Sequence, residues 1–204
     1  MQILDLGRRG FGEVEALQVE LRGRILGGDP SAETLLLVEH DAVVTLGRRG
    51  DTGGLLVPPE QLRAAGVALH TASRGGEATY HGPGQLVAYP VMTLRRGVVA
   101  HVEALARAAI RSAAQVGVEA RFERARPGVW VEDRKLASIG VHVHRRVTIH
   151  GIALNVDDEA LVGFTRIVPC GMRGVTMTSL EREVGRRVDV RDVFTAALFE
   201  ELCA

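Results

Sequence analysis

Residues 136–156 read LASIGVHVHRRVTIHGIALNV, and apolar and polar residues alternate on both sides of the pair Arg145-Arg146. Alternation with a period of two is typical of a half-buried β-strand. Two such runs separated by two residues predict a tight hairpin. We therefore predict strands over residues 136–144 and 147–156, which such a short connection forces to be antiparallel.

The remaining chain alternates between strand-like and helix-like segments. Helices between the earlier strands imply crossover connections, so the sheet is mixed. The predicted fold class is α/β (α+β), a mixed sheet with flanking helices, in one domain over residues 1–204. The other predicted strands cover residues 2–6, 34–39, 42–46, 67–72, 85–91 and 128–131. The predicted helices cover residues 12–26, 58–65, 98–116 and the stretch from an Asp189 cap to Leu202.

The composition argues against several classes of partner. The chain has 25 acidic and 25 basic side chains, so no overall field attracts nucleic acid or an anionic membrane. The first residues lack a basic leader followed by an apolar run, and no apolar run approaches membrane-spanning length. We therefore expect a cytoplasmic protein with no nucleic-acid or membrane partner. Two cysteines, Cys170 and Cys203, are too few for a disulfide framework or a zinc site.

Lys135 is the only lysine among the 25 basic residues. Arginine keeps its proton in proteins, whereas a partly buried lysine can act as an acid or a base. Composition alone favours a simpler interpretation, in which a bias toward arginine left one lysine by chance. The position of Lys135 near the start of a predicted strand, and not on a solvated helix face, favours a chemical role.

The loop at residues 74–85, RGGEATYHGPGQ, lies between two predicted strands and contains four glycines. Glycines allow backbone amides to approach a ligand closely. The spacing fits neither a Walker loop nor a dinucleotide fingerprint, because a Gly-Lys-Ser/Thr triplet is missing and a strand follows the loop. Arg74, Thr79, Tyr80 and His81 indicate a pocket wall with polar contacts. The alternative is a glycine-rich structural turn.

Cys170 lies between Pro169 and Gly171, ahead of a helix predicted to start at residues 176–179. Thr178 and Glu181 have the spacing of a capping box. A cysteine in such a loop can be an exposed nucleophile whose thiolate is stabilised by helix amides and a cation. A lone cysteine is more often a small buried apolar residue. Cys203 has no comparable setting, and we expect it to be inert.

A nucleophilic Cys170 needs a partner that takes its proton, and Lys135 competes with seven histidines for that role. His81 lies in the glycine-rich loop. His142, His144 and His150 lie on the predicted hairpin, where alternation puts the first two on one face. A metal site built from these histidines is a weak hypothesis, because no carboxylate or cysteine joins them at ligand spacing.

These segments together resemble the octanoyltransferases of lipoate biosynthesis, the lipoyl(octanoyl) transferases. The resemblance covers nearly the whole chain in order. It is carried by RGGEATYHGPGQLVAYP at residues 74–90, GVWV at 128–131, KLASIG at 135–140, HGIALNV at 150–156, PCG at 169–171 and MTSL at 177–180.

The resemblance implies a fold shared with lipoate and biotin protein ligases and a cysteine-lysine dyad that works without a cofactor or a metal. Cys170 corresponds to the nucleophile that forms the thioester acyl-enzyme, and Lys135 to its acid/base partner. The donor implied is octanoyl-acyl carrier protein, and the acceptors are lipoyl domains of 2-oxoacid dehydrogenases and the glycine cleavage H protein. The segments implied to line the acyl pocket contain Arg74, Gly75, Gly76, Glu77, Ala78, Thr79, Tyr80, His81, Ser138, Ile139, Gly140, Gly151, Ile152 and Ala153.

Two other hypotheses remain at this point. An ATP-dependent lipoate-protein ligase of the same fold would activate a free acid and would need no nucleophilic cysteine. A non-catalytic module that binds acyl carrier protein or lipoyl domains would show binding without thiol reactivity. Dependence on ATP and acylation of Cys170 separate the three hypotheses.

Overall fold

The computed structural model describes residues 1–203, which form eleven β-strands and five α-helices. The strands are β1 (Gln2–Arg9), β2 (Thr34–His40), β3 (Val43–Leu46), β4 (Ala68–Thr71), β5 (Thr79–His81), β6 (Gln85–Thr93), β7 (Arg121–Phe122), β8 (Gly128–Val131), β9 (Arg134–His144), β10 (Val147–Asn155) and β11 (Thr176–Met177). The α-helices are α1 (Phe11–Leu26), α2 (Pro59–Ala64), α3 (Gly97–Gln115), α4 (Leu180–Val184) and α5 (Arg191–Cys203). Short 3-10 helices cover Pro30–Ala32, Asp158–Arg166 and Pro169–Gly171.

The predicted hairpin is present as β9 and β10, which pair in antiparallel register with Val147 opposite His144. Arg145 and Arg146 form its two-residue loop, and both have positive φ, at 46° and 68°. Two central residues with positive φ characterise the mirror-image turn whose twist matches that of the flanking strands. The alternation of side chains therefore predicted the pairing correctly, although neither arginine is a residue that favours positive φ.

The main sheet has the strand order β1-β2-β6-β10-β9-β8-β7, with β11 paired to β9. Strands β1 and β2 are parallel and are joined through α1, whereas β2, β6, β10, β9, β8 and β7 pair in antiparallel fashion. The mixed sheet with flanking helices is therefore confirmed.

A second sheet, with the order β4-β3-β5, was not predicted as a separate layer. Strand β3 pairs in parallel with β4 through α2 and in antiparallel fashion with β5. The three strands that the sequence did not reveal are β5, β7 and β11. Each spans two or three residues, which is too short for alternation to be recognised.

Three buried clusters fill the spaces between these layers. Helices α3 and α5 pack together on one face of the main sheet. Helix α1 covers the other face, against β2, β6 and β10. The second sheet packs against the 3-10 segment Asp158–Arg166. None of the helices within residues 1–203 is both long and apolar enough to cross a membrane.

The helix expected after Cys170 starts later and is capped differently from the prediction. Helix α4 begins at Leu180, and the side chain of Ser179 accepts the amide hydrogen of Arg182 at 3.1 Å. The Thr178 hydroxyl instead donates to Glu183 at 2.5 Å, so the predicted Thr178–Glu181 capping box is wrong. Strand β11 separates Cys170 from this helix in the chain, and the hydrogen bond that Cys170 Sγ accepts comes from Lys135 and not from a helix amide.

Candidate active site

A cavity of about 380 Å³ lies between the main sheet and the loop that follows β4, and we call it the main cavity. Strands β6, β9 and β10 supply one wall. Apolar side chains dominate that wall, and polar groups gather near Cys170 and near His150. Thirteen of the sixteen residues predicted for the site line the cavity, namely Arg74, Gly75, Gly76, Glu77, Thr79, His81, Ser138, Ile139, Gly140, Gly151, Ile152, Ala153 and Cys170.

Three predicted residues are not part of the cavity wall. Ala78 and Tyr80 belong to the buried cluster between the second sheet and Phe164. The prediction that they line the acyl pocket is therefore wrong. Strand alternation explains this result, because Thr79 and His81 point to the cavity side of β5 and Tyr80 points to the other. Ala78 still supports the site, because its carbonyl oxygen accepts the backbone amide hydrogen of Cys170 at 2.8 Å. Lys135 is the third, because it contacts Cys170 without lining the cavity itself.

Cys170 occupies a strained turn at the edge of the main cavity. Its φ and ψ are 51° and 29°, in the left-handed region that non-glycine residues rarely adopt. Such strain costs of order 1–3 kcal/mol and is concentrated at functional sites. Gly171 also has a positive φ, of 69°, a conformation that strains any residue with a side chain. Glycine is therefore favoured after the cysteine, and the turn holds the half-buried Cys170 side chain toward the cavity.

Lys135 is fully buried, and its Nζ lies 3.3 Å from Cys170 Sγ. Its side chain packs so closely against Gly128 that a Cβ atom there would lie 2.6 Å from Lys135 Cε. The ring of Trp130 is 5.6 Å from Nζ. Within residues 1–203 no carboxylate lies at ion-pair distance from Lys135. Among residues 1–203, the hydrogen bond to Cys170 Sγ is therefore the one polar contact of this buried amine.

Arg74 is a buried cation that organises the glycine-rich loop. Its guanidinium donates to the carbonyl oxygens of Gly75 and Glu77 at 3.0 and 2.8 Å, and to the carbonyl and hydroxyl oxygens of Thr45 at 2.7 Å each. Burial lowers the pKa of Arg74, and the nearby Cys170, Tyr89 and Glu15 act in the opposite sense. The arginine thereby fixes the loop opposite Cys170.

Two histidines line the main cavity, and burial keeps both in the uncharged form. Burial, His40 and Arg74 hold the pKa of His81 well below its ordinary value. Burial also lowers the pKa of His150, to about 4. His81 Nδ1 lies 3.1 Å from Gln85 Oε1, so one ring nitrogen is already engaged. His142 and His144 do not line the cavity, and Cys203 is exposed at the end of α5.

A hydrogen-bond network that sequence reasoning missed supports the far side of the cavity. Glu15 on α1 accepts from the Ser73 amide at 3.0 Å and pairs with His70 Nε2 at 2.8 Å. The Ser73 hydroxyl lies 2.9 Å from His150 Nε2, and Gln18 Oε1 accepts the His150 amide hydrogen at 2.7 Å. These residues come from α1, the loop after β4 and β10. Only the polar residues on the otherwise apolar face of α1 hinted at this network in the sequence.

Three polar atoms on the cavity wall are buried and have no partner within residues 1–203: Arg74 Nε, Thr79 Oγ1 and Ser138 Oγ. Buried polar groups are normally hydrogen-bonded, so such atoms at a cavity indicate where a polar part of a ligand would bind. No group of three or more His, Cys, Asp or Glu side chains in residues 1–203 is arranged to hold a metal ion.

Comparison with known proteins identifies the family. The model of the lipoyl protein ligase A/B catalytic domain matches residues 16–202. An octanoyltransferase of Geobacter metallireducens is 46% identical over 196 residues, which cover 95% of this chain and 88% of the relative. An octanoyltransferase of Geotalea uraniireducens is 45% identical over 199 residues, which cover 95% of this chain and 87% of the relative.

Solved structures agree at the level of the fold. A lipoate-protein ligase A bound with ATP superposes with a TM-score of 0.76 at 17% identity, covering 99% of this chain and 85% of that protein. A biotin protein ligase from Aquifex aeolicus gives a TM-score of 0.56 at 13% identity, covering 99% of this chain and 70% of that protein. The fold predicted from the resemblance is thereby confirmed. The chain belongs to the lipoyl protein ligase A/B catalytic domain family and, within it, to the octanoyltransferases, and it is therefore an acyltransferase.

Proposed function

We propose that the protein transfers an octanoyl group from octanoyl-acyl carrier protein to a lysine of lipoyl domains, through a thioester on Cys170. The observation that carries this proposal is the contact of 3.3 Å between Cys170 Sγ and the buried Lys135 Nζ. A lipoate ligase that activates its acid with ATP has no need of such a pair. The main cavity beside Cys170 supplies apolar walls for an acyl chain.

In the first half-reaction Lys135 takes the proton of the Cys170 thiol, and the thiolate attacks the thioester carbonyl carbon of the donor. A carbon–sulfur bond to Cys170 forms, and the bond to the carrier sulfur breaks. Lys135 then returns the proton to the leaving thiolate. Carrier thiol and acyl-enzyme are the products, and Lys135 has given up the proton that it took from Cys170.

In the second half-reaction the amine of the acceptor lysine attacks the Cys170 thioester. The new amide bond forms, the bond to Cys170 Sγ breaks, and Lys135 accepts the proton that the nitrogen loses. The site returns to an ammonium–thiolate pair or, after internal transfer, to amine and thiol. Lys135 therefore acts as base and then as acid in the first half-reaction, and as base in the second, which is general acid–base catalysis by one residue.

Donors for the negative oxygen of the tetrahedral intermediates are available opposite Cys170. No hydrogen bond within residues 1–203 uses the backbone N–H groups of residues 75–77. The peptide unit that carries the Gly76 N–H also contains the Gly75 carbonyl oxygen, which Arg74 holds, so the direction of this N–H group is fixed. We assign these amides, with the unpartnered Arg74 Nε and Thr79 Oγ1, as the groups that stabilise the oxyanion.

The acceptors we propose are the lipoyl domains of 2-oxoacid dehydrogenases and the glycine cleavage H protein. One solved neighbour, from Thermoplasma acidophilum, is described as a bipartite lipoate protein ligase with its E2 lipoyl domain. It has a TM-score of 0.75 at 18% identity, which supports a common fold. We propose that transfer needs neither ATP nor a metal, because the thioester donor is already activated.

The test is intact-protein and peptide mass spectrometry after mixing the protein with octanoyl-acyl carrier protein, without nucleotide. We expect one octanoyl group on Cys170. Cys203→Ser should be acylated like the wild type, whereas Cys170→Ser should not turn over. Acylation of Cys203, or turnover without acyl-Cys170, would contradict the mechanism. Activity that requires ATP with this donor would assign the protein to the ligases.

A further inference from the structure

Phe11 forms the end of the main cavity at the side of α1. It is the first residue of that helix, is 4% exposed and lines the cavity. Its ring is nearly parallel to the rings of His81 and His150, with interplanar angles of 10° and 9° and centroid distances of 5.9 and 6.3 Å. His40 also contacts it, at 5.3 Å. An aromatic ring held between two others closes the cavity at this point.

Cys170 and Phe11 line the main cavity beside different strands of the main sheet. Cys170 contacts Lys135 on β9, whereas Phe11 packs in the cluster that contains Val87 and Tyr89 of β6. Strand β10 lies between, with Ile152 opposite Ile139 on β9 and Ala88 on β6. Two strand spacings of about 4.8 Å give roughly 10 Å across the strands. The register places Val87 level with Ser138, and Lys135 lies further along β9, which adds about 10 Å along the strand direction. Phe11 therefore closes the cavity at the end away from Cys170.

Hydrogen bonds behind Phe11 hold this end of the cavity in place. Tyr89 Oη lies 2.9 Å from His40 Nε2, and His40 Nδ1 lies 3.0 Å from the carbonyl oxygen of Arg9. His81 and His150 are fixed through Gln85 and Ser73. The ring therefore cannot shift outward when a longer chain enters, because its neighbours are anchored by partners on different strands.

We propose that Phe11 is the residue that sets the upper limit on acyl-chain length, by closing the pocket at the end away from Cys170. This inference rests on the proposed function, in which the acyl group on Cys170 occupies the main cavity. Replacing the ring with a smaller side chain extends the cavity toward His40 and Tyr89. Replacing it with a larger ring shortens the cavity.

The experiment measures the rate of acyl-Cys170 formation with hexanoyl, octanoyl, decanoyl and dodecanoyl groups on the same acyl carrier protein. Each additional buried methylene group favours binding about fourfold. For Phe11→Ala we therefore expect the decanoyl-to-octanoyl ratio of rates to rise about fifteenfold, since two more methylene groups are buried. For Phe11→Trp we expect the hexanoyl-to-octanoyl ratio to rise instead.

Phe199→Ala on α5 is the matched control, because Phe199 is 37% exposed and is not part of the cavity wall. Melting curves identify any variant that fails to fold, and Phe11→Leu replaces Phe11→Ala in that case. Acyl-Cys170 formed with unchanged ratios of rates between chain lengths in the folded variants would overturn the role of Phe11. Absence of acyl-Cys170 with every donor in the wild type would instead overturn the proposed function.

Discussion

At the scale of single residues, Cys170 and Lys135 form a pair whose parts come from different segments of the chain. The sequence predicted both, because one lysine among 24 arginines and one cysteine between Pro169 and Gly171 are unusual. Their contact was known only through the family resemblance. Spacing in the sequence carries no information on a 3.3 Å contact between a strand and a distant turn.

Lys135→Arg tests whether this residue moves protons or only supplies charge. Arginine keeps the positive charge but does not lose its proton in a protein. We expect single-turnover transfer to fall by about a hundredfold to ten-thousandfold, as is typical when a general acid or base is removed. Arg134→Lys is the matched control, because that neighbouring side chain pairs with Glu183 on the surface of the sheet and not with Cys170.

The guanidinium is larger than the amine, so a melting curve must accompany each rate for Lys135→Arg. Gly128 leaves little space beside the Lys135 side chain. A folded variant with transfer near the wild-type rate would leave Lys135 with a purely electrostatic role. His81 would then be the better base, although its pKa lies well below the ordinary value of histidine.

At the scale of secondary-structure elements, the strands of four or more residues and the long helices were predicted within a few residues. The strands of two or three residues were missed. Strand β8 was predicted with its observed bounds, since its apolar run is bounded by turn residues. Strand β5 was not predicted because it lies within a glycine-rich loop. Its pairing with β3 over three residues decides which of Thr79, Tyr80 and His81 face the cavity. The assignment of Ala78 and Tyr80 to the acyl pocket was therefore wrong because the pairing within the second sheet was not predicted.

Gly151→Ala tests the close approach of β10 and β6. A Cβ atom at Gly151 would lie 2.2 Å from the carbonyl oxygen of Ala88, which is backbone and cannot rotate away. Overpacking of this kind costs about 1–3 kcal/mol, so we expect the melting temperature to fall by several degrees. Gly23→Ala is the control, since a Cβ atom at this position in α1 meets nothing within 4 Å. We expect that variant to be stabilised, and equal shifts for both variants would contradict the packing argument.

His101 on α3 makes the stability of the fold depend on pH. It is 6% exposed, its Nε2 has no partner within residues 1–203, and burial lowers its pKa to about 4. The unfolded chain binds this proton near the ordinary pKa of 6.5, so stability is lost as pH falls from about 6.5 toward 4. The expected loss is about 3 kcal/mol.

His101→Leu should remove that part of the acid sensitivity. Urea unfolding at pH 7 and pH 4.5 gives the free energy of unfolding for both proteins. We expect the loss between the two pH values to be smaller in the variant. The other buried histidines and the carboxylates contribute equally to both proteins, so the difference isolates His101. Identical losses would show that the folded protein accommodates the charged imidazole.

At the scale of the whole molecule, the formal net charge of zero means that any attraction for a partner must come from a local surface. Arg166 and Arg173 flank the Cys170 turn, and neither has a carboxylate at ion-pair distance within residues 1–203. Arg173 lines a second groove of about 790 Å³ on the far side of this turn. An acidic carrier would meet these charges as it approaches the nucleophile.

We expect kcat/KM for an acyl carrier donor to fall as salt rises, because screening shortens the reach of exposed charges to about 8 Å at physiological ionic strength. Arg173→Ala should lower the value at low salt and flatten its salt dependence. Arg63→Ala on α2, away from Cys170 in the sequence and outside both cavities, should leave it unchanged. A value that stays constant from low to high salt in the wild type would argue against electrostatic steering.

The interior around Lys135 has a further consequence for the order of events in turnover. Within residues 1–203, Cys170 is the only group in contact with this amine that can carry a compensating negative charge, and a thioester carries none. In the proposed mechanism, acylation therefore removes the only counter-ion available to a buried ammonium group. Lys135 gives its proton to the leaving carrier thiol in the same half-reaction, so it is ready to accept a proton from the second substrate only after the first half-reaction is complete. Electroneutrality of a dry interior would by itself keep the two half-reactions in sequence.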